Sequence, residues 1–346
     1  VALLLAIAAM PVAFSAWIDP ARLVAARDEE EAMARVLVSG RNVMGFANFD
    51  DRAIERSLAA LRPGRAGTLG VGSSRLQPLP SVALPGQGFV NVSVQGAMLD
   101  DLIGVYGLYD TPERRPERLL LNVDPWTQSY RGEPGWASVA DERSAVMQRS
   151  GIPVTPWREK LWLRKTTLQR LASPEYLRRS IFSFRTYGVA GTGWTATDSV
   201  QHARKTKRPD GSVVWPPLPP DNAPKVVPQF VANGIPYDGR LHDFDARVEG
   251  REDALEKFVR YVQGQGVEVT VLLVPFPPEM YDALSRLPGH NVVALEAELR
   301  AMAGRVGVRV VGGYDPRRFG LRTEEFFDET HLRPDGLARV VLSASN

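Results

Sequence analysis

Two stretches hold residue types that could do nucleophilic chemistry together. Gly72-Ser73-Ser74-Arg75 ends the apolar run "GTLGVG" (67–72), and "FFDETHLRPDGLARVVL" carries Asp328 and His331 three residues apart near the other end of the chain. A serine hydroxyl is a weak nucleophile until a base takes its proton, and an imidazole held by a carboxylate can be that base. Residues three apart share one face of a helical turn, so Asp328 could hold one imidazole nitrogen while the other meets a serine. Ser74 is the first candidate nucleophile and Ser73 the second. A third piece, "FVNVSVQGAMLDD", is expected to enter a helix at Gly96, where backbone N–H groups could receive an anion. Each piece alone has an ordinary reading: a turn after a strand, a surface Asp–His pair or helix cap, and a strand-to-helix turn.

These residues need elements to bring them together. Four continuous apolar runs read as buried parallel strands: 67–72, 88–94, 118–124 and 267–276, with a fifth at 306–314. Helical patterns separate them, at "AMLDDLIGVYGLY", "REDALEKFVRYVQGQG", "PEMYDALSRL" and "VVALEAELRAMAGR". The alternation predicts an α/β fold, a parallel sheet covered by helices on both faces. Sites in such sheets lie at the carboxyl ends of strands, which is where Ser73 and Ser74 fall. Pro334 suits the first turn of a final helix running through Gly336 to Leu342, leaving His331 on the loop before it.

The chain divides into an apolar segment (1–20), a polar connector (21–65) with helical character around Glu29 to Val38, an α/β domain (66–124 and 250–346) and an insertion (125–249). The insertion, with "WPPLPPDNAPKVVPQ", is too long for a plain loop and reads as a lid or subdomain. Its tryptophans (Trp126, Trp136, Trp157, Trp162, Trp194, Trp215) fill its own core or, alternatively, line a sugar-binding groove. The run "VALLLAIAAMPVAFSAW" has no charge over 17 residues. It suits an export signal with Ala13 and Ser15 near a cleavage point, an uncleaved anchor following a basic leader, or a helix packed on the domain.

Lys+Arg 42 nearly balances Asp+Glu 40, with no dominant basic stripe, which argues against nucleic acid as the main partner. The absence of cysteine excludes disulfides, thiolate metal sites and a cysteine nucleophile. No cofactor or metal is expected. His202 and His242 fall in the insertion and His290 in a turn; "LHDFD" near His242 has carboxylates but no metal-ligand spacing. Arg75 could contact an acidic sugar or face solvent, and Arg333 is expected in solvent.

Taken in order, Gly-Ser-Ser after the first strand, 91–96 after the second and Asp-x-x-His after the last resemble the SGNH/GDSL hydrolase superfamily. Within it the chain resembles the membrane-anchored bacterial envelope proteins related to the alginate acetylation proteins and the D-alanyl-lipoteichoic acid transfer protein. "AWIDPARL" is similar to their segment after the membrane. The resemblance covers 66–124 and 250–342 and implies a three-layer α/β/α fold with a flavodoxin-like sheet. It implies Ser74 as nucleophile, Asp328 and His331 as its partners, and the Ser74 and Gly96 N–H groups as oxyanion donors. The third block departs from the family's Gly-x-Asn-Asp: it reads "LNVDPW", with Asn122 and Asp124 on one strand face. Asn122 could serve as third donor, whereas an ionised Asp124 nearby would repel an oxyanion.

The expected activity is acyl transfer or ester hydrolysis on a cell-envelope glycan, in the periplasm or anchored at the inner membrane. An integral-membrane partner would supply the acyl group. The competing expectation is a non-catalytic envelope scaffold or glycan-binding protein that keeps the fold.

Overall fold

The computed structural model describes residues 2–19, 28–46, 49–127, 135–187, 193–200, 203–235, 251–288 and 291–343. Its strands are β1 (Asn42–Met44), β2 (Thr68–Val71), β3 (Phe89–Asn91), β4 (Arg118–Asn122), β5 (Thr195–Thr197), β6 (Thr206–Lys207), β7 (Val213–Val214), β8 (Glu268–Leu273) and β9 (Arg309–Gly312). Its α-helices are α1 (Ala2–Ile18), α2 (Asp28–Val38), α3 (Asp51–Leu61), α4 (Leu99–Gly107), α5 (Ala140–Arg149), α6 (Pro156–Leu171), α7 (Pro174–Tyr187), α8 (Asn222–Ala232), α9 (Arg251–Gly264), α10 (Pro278–Ser285), α11 (Val292–Val306) and α12 (Pro334–Leu342).

The fold is mixed α/β, built on a five-stranded parallel sheet of order β3-β2-β4-β8-β9. These strands lie within the five apolar runs. Leu119, Leu120 and Leu121 of β4 and Val271, Leu272 and Leu273 of β8 are buried in succession, so both faces of these strands are covered, as continuous rather than alternating hydrophobicity implies. Parallel neighbours need crossovers, and α4, α9, α10 and α11 lie in the stretches between strands. Local chemistry sets their ends. Asn291 caps α11 by accepting from the backbone N–H groups of Val293 and Ala294, and Gly307 closes it in the left-handed region at φ 70°. The parallel register brings the carboxyl ends of β2, β4, β8 and β9 to one edge.

A second sheet is antiparallel, of order β5-β1-β6-β7. Residues of the expected connector therefore pair with residues of the expected insertion. Lys207 of β6 and Glu55 of α3, both buried, form an ion pair of 2.8 Å across the same region. The insertion also reaches the large sheet, where the Asn91 N–H of edge strand β3 donates to Asp210 O at 2.8 Å. An edge strand is covered in this way rather than left open.

The apolar N-terminal run forms α1, with Pro11 inside it. Phe14 and Trp17 pack against Phe184 of α7 at ring separations of 6.0 and 6.2 Å, and the Tyr176 hydroxyl donates to Asp19. Among the described residues, no helix is long and apolar enough to cross a membrane. One boundary needs correction: the helix after β3 begins at Leu99, and Gly96 lies in the turn before it.

Gly211 marks the tightest approach between insertion and sheet. It has φ +86°, and a Cβ there would sit 1.8 Å from Asn91 O. Gly211→Ala combines backbone strain with overlap and should cost about 2 kcal/mol or more. Urea unfolding of the two proteins measures it.

Candidate active site

The turn that follows β2 carries Ser73, Ser74 and Arg75, and the three side chains go to different places. The Ser74 Oγ lies 2.9 Å from His331 Nε2. His331 Nδ1 lies 2.9 Å from both carboxylate oxygens of Asp328. With Nδ1–H donating to Asp328, Nε2 is left with its lone pair toward the serine.

Asp328 and His331 do not share a helical turn. They occupy a loop closed by a bridge between Phe326 and Leu332 and by the Phe327 N–H donating to His331 O at 2.8 Å. Asp328 Oδ1 also accepts from the backbone N–H groups of Thr330 and His331, both at 2.9 Å. The carboxylate thus shapes the loop that presents the imidazole. Burial pushes the Asp328 carboxyl up, but His331 beside it and the hydrogen bonds it accepts outweigh this and hold it below its ordinary value. α12 starts at Pro334, directly after this loop.

Ser73 is turned away from the imidazole. Its hydroxyl donates to Asp124 Oδ2 and accepts from the Arg75 N–H. The second candidate nucleophile is therefore engaged in structure, and Ser74 alone faces His331. Gly72 is required here because a Cβ would lie 2.6 Å from the Asn122 side chain.

Arg75 corrects both sequence expectations, since it neither faces solvent nor reaches outward. It is fully buried, and its NH1 pairs with Asp124 Oδ1 at 2.8 Å. Its Nε donates to Thr330 O at 3.0 Å, and its NH2 to Val274 O and Pro275 O at 2.6 Å. The guanidinium carbon also sits 3.9 Å from the Phe276 ring centroid. Burial pulls the guanidinium below its usual value, with Asp124 opposing, yet an arginine remains charged.

Asn122 is a further correction. Its Oδ1 accepts from the Ser73 N–H, and its amide nitrogen faces Asp124 Oδ1 and Leu272 O at 3.3 and 3.4 Å. The side chain expected to donate to an oxyanion is committed to holding the Ser73 turn. The concern that Asp124 would repel an oxyanion also loses force, because Arg75 neutralises it. On the neighbouring strand end, Val94 N–H donates to Gly72 O at 3.0 Å, which ties the chain two residues before Gly96 to the chain two residues before Ser74. Asp51 of α3 fixes that turn by accepting from the Gln95 N–H at 2.8 Å. Gly96 has φ +62°. Among the described residues, neither the Ser74 nor the Gly96 N–H has an acceptor.

The insertion supplies what sequence reasoning missed. The Trp215 ring lies 4.5 Å from the His331 ring and stacks on Phe327 at 5.9 Å. Lys205 Nζ sits 3.8 Å from the Trp215 centroid; burial lowers its pKa, with Asp51 and Asp328 opposing. Arg333, expected in solvent, donates to four backbone carbonyls, including Leu218 O and Pro219 O of the insertion. Asn222 donates to Phe327 O at 2.7 Å. The six tryptophans do not form one core: Trp126 joins the main core, while Trp157 is well exposed. No periodicity marks Trp215 or Lys205, so only the folded chain shows their position. His202, His242 and His290 lie outside the described residues. Among the described residues no cluster of His, Asp or Glu could hold a metal ion.

A scan against family models finds no match to this chain, and a search of curated proteins finds none either.

Two outcomes follow from this geometry. Arg75→Met leaves Asp124 charged and buried without its partner, and should destabilise the chain by about 3–5 kcal/mol in urea unfolding. Asp328 has a depressed carboxyl pKa, so its contribution to stability is present above about pH 3.9 and is lost as pH falls through its lower folded value. The stability gap between the parent chain and Asp328→Asn should therefore narrow as pH drops from neutral into that acid range.

Proposed function

We propose that this chain is a serine-dependent acyltransferase or esterase of the SGNH type, acting on a glycan or similar acylated substrate of the bacterial cell envelope. One observation carries the reading: the Ser74–His331–Asp328 chain of contacts, 2.9 Å at each step. The sheet order supports a flavodoxin-like three-layer arrangement, with the site beyond the carboxyl ends of the strands. The uncharged helix α1 is what favours an envelope location, and the integral-membrane partner that would supply the acyl group rests on the resemblance alone.

In the proposed reaction Ser74 Oγ attacks the acyl carbonyl while His331 Nε2 takes its proton. Asp328 stabilises the resulting imidazolium and keeps its orientation. The N–H groups of Ser74 and Gly96 receive the oxyanion of the tetrahedral intermediate. The intermediate collapses as the imidazolium returns the proton to the leaving oxygen, which leaves the acyl group on Ser74. An incoming hydroxyl then gives its proton to His331 and takes the acyl group by the reverse sequence.

The acceptor decides between esterase and transferase. Ser74 is 9% exposed, and Trp215 lies on the imidazole, an arrangement that limits water at the acyl-enzyme and favours transfer to a sugar hydroxyl. The same cover is what a scaffold with a closed site would show, so the variants must separate the two. Ser74→Ala and His331→Ala should each lower turnover of a 4-nitrophenyl ester by about a thousand-fold or more, and Ser73→Ala should lower it far less if it folds. Trp215→Ala should raise hydrolysis relative to transfer onto an added oligosaccharide. Equal, negligible turnover in the folded parent and in Ser74→Ala would favour the scaffold.

A further inference from the structure

We propose that α6 and α7, together with α1, form a surface that lies flat in the headgroup region of an anionic phospholipid bilayer. The inference rests on surface chemistry alone and is independent of the catalytic reading.

The first observation is where the apolar surface is. Of the thirteen exposed large hydrophobic side chains among the described residues, nine lie on these three helices. Helix α6 runs for 16 residues and buries only Leu171. Trp157, Leu161 and Leu168 stand on it at i, i+4 and i+11, which is one stripe, and they are 64%, 62% and 64% exposed. A helix that helped to fill the domain would turn such a stripe inward. Instead α6 is held by its other contacts: Trp136 stacks on Trp162 at 6.1 Å, and Glu159 pairs with Arg143 at 2.8 Å.

The second observation is charge. Residues 156–187 hold eight lysines and arginines against two glutamates, six positive charges in excess, while the whole chain has an excess of two. The remainder of the chain is therefore net acidic, and the excess of positive over negative charge lies on this pair of helices. Arg158, Arg164 and Lys165 flank or interrupt the apolar stripe, and among the described residues none makes an ion pair; Arg158 lies over the Trp157 ring at 5.2 Å. Long cationic side chains with apolar stems can lie along such a stripe and reach headgroup phosphates with their tips.

The occupant follows from the mixture. The core of a protein–protein interface is depleted of charge, whereas an in-plane membrane helix carries lysine and arginine alongside its aromatic and aliphatic anchors. The surface is also continuous with α1, which has no charged residue and packs through Phe14 and Trp17 onto α7. An apolar helix beside a basic aromatic one offers the acyl boundary and the headgroup layer together.

Flotation of the full chain with vesicles tests this, using phosphatidylcholine alone and phosphatidylcholine containing about 30% phosphatidylglycerol. The parent should bind the anionic vesicles, and Arg158→Glu/Arg164→Glu/Lys165→Glu should bind them about a hundred-fold or more weakly, since each cation contributes several-fold near an anionic surface. All three side chains are exposed, so thermal unfolding should match the parent and exclude misfolding as the cause. Trp157→Ala/Leu161→Ala/Leu168→Ala, with the charges intact, should also bind more weakly and show less quenching of tryptophan fluorescence by brominated lipid. Equal binding by the parent and the charge-reversed variant would overturn the proposal. So would failure of the folded parent to bind anionic vesicles, which would leave a protein as the occupant of this face.

Discussion

One buried guanidinium holds the candidate site together. Arg75 follows Ser74 in the turn after β2, pairs with Asp124 after β4, donates to Val274 O and Pro275 O after β8, and donates to Thr330 O beside His331. Four separate segments, distant in sequence, meet on one planar group whose donors point in fixed directions. A charge with no access to water needs such partners, because an unsatisfied one would cost several kcal/mol. The distance from Ser74 to His331 thus depends on a residue that touches neither side chain's reacting atoms. The geometry is held by the interior.

Around that centre the polar groups are spent in pairs. Asp124 takes Arg75 and the Ser73 hydroxyl, while Asn122 takes the Ser73 N–H, so that the two serines of the turn are sorted by what surrounds them. Asp51 does similar work on the other side by holding the Gln95 N–H, and so the turn at Gly96. The insertion then closes over the imidazole with Trp215 and clamps the His331 loop through Asn222 and Arg333. The sheet positions Ser74, the proposed nucleophile, and the insertion covers the imidazole beside it.

Much of this could be read from the sequence, for a physical reason. Strands buried on both faces must be continuously apolar, so the five runs marked β2, β3, β4, β8 and β9 and their carboxyl ends. A serine at one such end and an Asp-x-x-His before a Pro-started helix are short-range patterns, and both sit near the expected positions. The rest depended on long-range contacts. Arg75 reads as an exposed cation in the sequence because its partners lie 49 to 255 residues away in the chain. Asn122 looked available for an oxyanion because strand alternation gives its direction and not the neighbour it meets. Trp215 belongs to an irregular Pro-rich segment with no period to reveal its face. The connector and insertion read as separate in the sequence, since antiparallel pairing of β1 with β5 and β6 joins residues over 150 apart.

The central claim is that His331, held by Asp328, activates Ser74 and no other serine. Reaction of the folded chain with a fluorophosphonate, followed by mass mapping of the adduct, tests it without knowledge of the natural substrate. The account predicts a single adduct on Ser74, lost in Ser74→Ala and in His331→Ala. An adduct on Ser73, or labelling of Ser74 that persists undiminished without His331, would contradict it.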